Sequence, residues 1–99
     1  MSFKVRYTRA AREDLKRLFA FQLERDRKTA LCAREAIEKS VEFLREFPFS
    51  CRKSESGNPF LRELVIPFGA TGHVALFEIE DNDTITILAI RHQLEDDFH

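Results

Sequence analysis

Five side chains in the C-terminal half of the chain have the chemistry to hold or cut a phosphodiester: Arg52, Lys53, Arg62, Arg91 and His92. Cutting RNA without a metal needs a base, an acid and cations on the developing phosphorane. Imidazole titrates near neutrality, so His92 is the candidate for proton transfer. Arg62 and Arg91 offer forked guanidinium donors that match two phosphate oxygens at once. A plainer reading stands beside this one: Arg91 pairs with Glu95 or another acid of the tail, and His92 closes the end of a strand. The plainer reading is favoured for chemistry. The same five residues, with Phe98, are the expected contacts to a macromolecular target.

Other chemistries have less behind them. His73, His92, His99, Cys32 and Cys51 show none of the paired spacings of zinc sites. Asp81, Asn82 and Asp83 look like the start of a calcium loop but lack its central Gly and terminal Glu, so a hairpin turn explains them better. Three glycines cannot build a Gly-rich phosphate loop. No metal and no cofactor is expected. Cys32 falls in a helical pattern and reads as a small core residue. A disulfide between two thiols so far apart is not expected in a reducing compartment.

The elements that must position these residues follow from periodicity. Phe3, Val5 and Tyr7 alternate with Lys4, Arg6 and Thr8, which marks a strand with one buried face. Thr8 then caps a helix running to about Glu24, with Ala11, Leu15 and Leu18 as its inner stripe. Asp26 caps a second helix, where Ala30, Ala33, Ile37, Val41 and Leu44 share one face. Pro48 ends it at or before Phe47. Residues 50–59 (SCRKSESGNP) have loop chemistry. Three strands follow, at 60–66, 73–80 and 84–91, and their short links imply an antiparallel meander. The expected fold class is α+β, in the order β-α-α-β-β-β, with a helical hairpin packed on one face of an antiparallel sheet.

Composition sets outer limits. At 99 residues with 43% hydrophobic side chains, the chain supports one domain over residues 1–99 and one modest core. Such a chain seldom also encloses a deep metabolite pocket, so binding of another macromolecule is the expected work. No early segment has the pattern of a signal peptide, and no apolar run spans a bilayer, so a cytoplasmic location is expected.

Net charge is −1, yet the charge is polarised. Lys4, Arg6, Arg9, Arg12, Lys16, Arg17, Arg25, Arg27, Lys28 and Arg34 outweigh four acids in the first third. From Glu63 onward Arg91 is the single Lys or Arg among many acids. Two readings are open: an oriented electrostatic partner, or ordinary solvated faces.

The aromatics also exceed what one core can use. At about 100° per residue, Phe19 and Phe21 fall on opposite flanks of the first helix's stripe. One sheet cannot bury both. Phe43 projects away from Ile37, Val41 and Leu44. Either these rings await a partner, or Phe43 packs on the loop at Phe47 to Phe49.

Four segments in order resemble the RelE/ParE toxins. VRYTRAAREDLKRL resembles their first strand and helix, and LREFP the end of their second helix. LRELVIPFGATGHVALFEIE resembles their next two strands, and TITILAIRHQLEDDF their last strand and tail. The resemblance implies the toxin of a type II toxin–antitoxin module, held inert by a cognate antitoxin that wraps it with a helix and an extended segment. Leu15, Phe19, Phe21, Phe43 and Phe47 are then the expected antitoxin contacts. Within that family, RelE-like members cleave mRNA in the ribosome and ParE-like members poison DNA gyrase. The RelE-like set places basic residues on the sheet and a Tyr in the tail. Here Arg62 fits one basic position and His92 another. Leu64 and Val74 stand where further cations are expected, and Phe98 stands for the Tyr. These departures, with the acidic sheet half, lean toward the ParE-like side with gyrase as target. A RelE-like endoribonuclease using Arg62, Arg91 and His92 is the alternative.

Overall fold

The computed structural model describes residues 2–55, 57–67 and 72–92. Strand β1 covers Lys4–Tyr7, helix α1 Arg9–Arg25 and helix α2 Arg27–Glu46. A single 3-10 turn at Pro48–Ser50 leads into the short strand β2 at Arg52–Lys53. Strands β3 (Leu61–Ile66), β4 (His73–Ile79) and β5 (Thr84–His92) follow. Residues 68–71 of the expected PFGATG turn, and Glu95, Phe98 and His99 of the tail, lie outside the described residues.

Both helices begin where the capping chemistry places them. Thr8 is extended and its Oγ1 accepts the Ala11 N–H at 3.1 Å. Asp26 serves two helices at once. Its backbone N–H donates to the Gln22 carbonyl at 2.9 Å, closing α1, and its carboxylate accepts the Lys28 N–H at 3.1 Å, opening α2. One extended residue thus makes the whole helical hairpin link. Pro48 cannot continue α2, and Phe47 before it leaves the helical region.

The sheet has five strands in the order β1-β5-β4-β3-β2. The meander β3–β4–β5 is antiparallel as expected, but β1 pairs with β5 in parallel, from Lys4↔Thr84 to Tyr7↔Ile87. The sheet is therefore mixed. Short connections force antiparallel neighbours, whereas the two helices after β1 free it from that rule. The fifth strand is also new: within the expected loop, Arg52 faces Glu63 and Lys53 faces Arg62.

The core lies between the helical hairpin and one sheet face. Ala11, Leu18, Ala33, Ile37 and Leu44 meet Leu64, Ile66, Phe77, Ile79, Ile85, Ile87 and Ile90. Burying each large side chain contributes about 1.5–3 kcal/mol. Ile85 and Ile87 follow the two-residue period, but Ile90 does not. Leu76 faces Ala89 while Phe77 faces Ile87, so Leu88 is an extra residue in β5. This bulge switches the strand's facing and returns Ile90 to the core. Cys32 corrects an expectation. It is exposed, because Ala33 takes the inward position and Cys32 lies about 100° round the helix from it. Cys51 is the buried thiol.

Candidate functional site

β5 runs past the end of β1, which leaves its outer edge without a strand beyond Ile87. The first turns of α1 supply substitutes. The Thr8 N–H donates to the Ile87 carbonyl at 3.0 Å, and the Thr8 hydroxyl donates to the Leu88 carbonyl at 3.0 Å. The Asp14 Oδ2 accepts the Ile90 N–H at 2.9 Å. Asp14 is only 6% exposed. Its charge is met by Arg91, with Nη1 2.7 Å from the same oxygen, and by Arg17 on its other oxygen. Arg91 thus meets an acid on α1, which the sequence reading did not foresee. The sign was present: Asp14 interrupts an otherwise apolar stripe between Ala11 and Leu18.

Arg62 is also engaged. Its Nε donates to the Pro59 carbonyl at 3.0 Å. Its Nη1 donates to the carbonyls of Phe49 and Cys51 at 3.1 and 2.9 Å. The guanidinium lies 5.2 Å from the centre of the Phe49 ring. One side chain therefore ties the 3-10 turn to the loop before β3. Arg52 pairs with Glu63 at 2.8 Å, while Lys53 is exposed. His92 faces His73 across β4 and β5, the rings edge to face at 5.3 Å. The expected target contacts are hence not one cluster: Arg52, Lys53 and Arg62 lie at the β2 edge, and Arg91 and His92 at the end of β5. Phe98 lies outside the described residues.

The five expected antitoxin contacts divide. Leu15, on the expected inner stripe, and Phe19 are half-buried and pack on the core. Phe21 is 56% exposed, beneath the Arg25 guanidinium. Phe43 and Phe47 are 46% and 55% exposed and lie against each other at 5.5 Å. Phe43 therefore packs on Phe47 and still faces solvent.

Beside Phe43 runs a groove of about 660 Å³ between α2 and the β2–β3 edge. Cys32, Ala36 and Phe43 line one wall, and Cys51, Leu64 and Val65 the other. Burial pushes the Cys51 thiol pKa up, partly offset by the Arg62 charge. Tyr7 is likewise raised by burial. In the β4–β5 turn, hydrogen bonds from Asp83 hold the Asp81 carboxyl below its ordinary value. Among the described residues no three His, Cys, Asp or Glu side chains converge as metal ligands. Among them, too, no helix is long and apolar enough to cross a membrane.

Comparison with known proteins gives one answer at the level of family. Residues 5–97 match the model of the ParE toxin of the type II toxin–antitoxin system parDE. The chain is 30% identical over 95 residues to Toxin RelE1 of Caulobacter vibrioides, covering 96% of this chain and 98% of that protein. The chromosomal ParDE system of P. aeruginosa includes a chain of the same fold, with TM-score 0.69, 23% identity and coverage of 92% and 96% of the two chains. A chain of the RelBE2 toxin–antitoxin complex of Mycobacterium tuberculosis aligns with TM-score 0.62 at 21% identity, covering 93% and 99%. With a family model spanning almost its whole length and a toxin relative matched end to end, the chain belongs to the RelE/ParE family of type II toxin–antitoxin toxins.

Proposed function

We propose that this toxin acts in the ParE-like way, by binding DNA gyrase rather than by cutting mRNA, and that a cognate antitoxin neutralises it. The observation that carries the reading is how the two arginines are spent. Arg62 gives three hydrogen bonds to backbone carbonyls, and Arg91 is bound to a buried carboxylate. A guanidinium so occupied is poorly placed to clamp a phosphorane. Binding to ribosomal RNA rests on Lys and Arg contacts to phosphate. The sheet half of this chain, by contrast, is dominated by Glu63, Glu78, Glu80, Asp81 and Asp83. The exposed rings of Phe21, Phe43 and Phe47 support a protein partner on the helical side.

The deciding experiment mixes purified chain with gyrase and supercoiled plasmid. Trapped, protein-linked cleaved DNA is expected. Unaffected gyrase, together with codon-linked mRNA cuts on translating ribosomes that disappear in Arg62→Ala or His92→Ala, reverses the assignment.

A further inference from the structure

On the sheet face beneath the helices, the rungs between β4 and β5 are apolar until the outermost one. Ile79 faces Ile85, Phe77 faces Ile87 and Ala75 faces Ile90, and all of these side chains are buried. The next rung on this face, among the described residues, is His73 opposite His92. Both imidazoles are half-buried, so they border the core and still meet water. Ile66, only 2% exposed, faces His73 from β3. The Ile79 N–H donates to the Phe60 carbonyl, so odd-numbered residues of β4 spend their backbone groups on β3. His73 and His92 therefore form a pair without backbone hydrogen bonds between them, the kind that brings side chains closest.

Imidazole is the side chain most often used to hold transition ions. The spacing here suits one. A zinc ion sits about 2.1 Å from each ligating nitrogen. With about 1.2 Å of ring radius added to each arm, a tetrahedral angle puts the two ring centres about 5.3 Å apart. The rings of His73 and His92 lie 5.3 Å apart, edge to face. We propose that they form a two-imidazole site for a divalent transition ion, zinc being the one whose tetrahedral geometry the spacing fits. Two positions of the tetrahedron stay open to water or an incoming donor. The ion closes the outermost rung from the β4 side, at the strand end that Asp14 already holds through the Ile90 N–H and Arg91. Zinc motifs are read from close spacing along the chain, whereas here strand pairing brings together two ligands from separate strands.

Zinc chloride titrated calorimetrically into the purified full chain tests this. One ion should bind per chain, with a dissociation constant on the order of 10 μM, since two ligands hold far less tightly than the four of a structural site. His73→Ala and His92→Ala should each weaken binding by about tenfold or more. Cys32→Ser and His99→Ala should bind as the parent does. At about a hundredfold excess over that constant, zinc should raise the parent's thermal midpoint by about 5 °C or more and leave the two alanine variants unmoved. Should either variant fold poorly, the parent alone decides: zinc should shift the ring proton resonances of His73 and His92 together and leave those of His99 in place. No binding at about 1 mM zinc, affinity kept in His73→Ala or His92→Ala, affinity lost in Cys32→Ser or His99→Ala, or one ion shared between two chains each overturns the proposal.

Discussion

Asp14 on α1 and Arg91 on β5 join the two ends of the chain through a 2.7 Å ion pair that is almost wholly withdrawn from water. The same carboxylate accepts the Ile90 N–H and meets Arg17. Removing one partner of such a pair strands the other charge, at a cost of about 3–5 kcal/mol. Asp14→Ala should therefore lower the urea midpoint severely. The double change Asp14→Leu, Arg91→Met should recover part of the loss, since an apolar pair has no charge to strand, although the Ile90 N–H still lacks its acceptor. A double variant as unstable as the single one would contradict this account.

Arg62 should prove structural. Arg62→Ala loses three hydrogen bonds to carbonyls and the contact with Phe49, so stability should fall by about 1–3 kcal/mol, and exchange should quicken in residues 51–60. Arg62→Lys should not restore it, because a point charge cannot replace the planar fork. On the proposed gyrase reading, poisoning by the folded fraction should persist; loss of poisoning without loss of stability would place Arg62 at the target instead.

Much of this was legible beforehand, and the failures have physical causes. Helix caps at Thr8 and Asp26, the meander and the outward rings of Phe21 and Phe43 all follow from local spacing. The parallel pairing of β1 with β5 does not, because no local signal records which distant strand is a neighbour. The bulge at Leu88 was equally hidden, since it breaks the period on which strand facing is read. Cys32 was misplaced by reading an apolar residue as an inward one. In the site, the partners were beyond local reading: the acid that binds Arg91 lies at the far end of the sequence.

The exposed rings offer a test that separates binding from folding. Phe43→Ser and Phe47→Ser remove surface that the core does not use, so thermal stability should change by less than about 1 kcal/mol. Antitoxin affinity should fall about tenfold for the stronger of the two, as truncation of a central aromatic anchor commonly costs more than about 1 kcal/mol. Calorimetric titration of antitoxin into each variant gives both numbers. Equal binding by all variants would put the contact elsewhere on the molecule.

The two thiols should differ in reactivity and in pH response. Cys32 should react at once with iodoacetamide and Cys51 slowly, with a pH profile for Cys51 displaced upward. Because the folded state raises the Cys51 pKa, it holds that proton more tightly than the unfolded chain does. The linked stability is present below the ordinary thiol value and declines as pH rises through and above it. Urea midpoints from pH 8 to 10 in Cys51→Ala and the parent should therefore converge as pH increases. A parent that grows more stable relative to the variant over that range would show the opposite shift.

The parallel pairing of β1 with β5 carries a further consequence for synthesis. Synthesis delivers Lys4–Tyr7 well before Thr84–His92, so β1 waits for its neighbour while the helices and the strands between are made. A product that ends before Thr84 cannot form the β1–β5 pairing. Contacts this remote in sequence also slow folding.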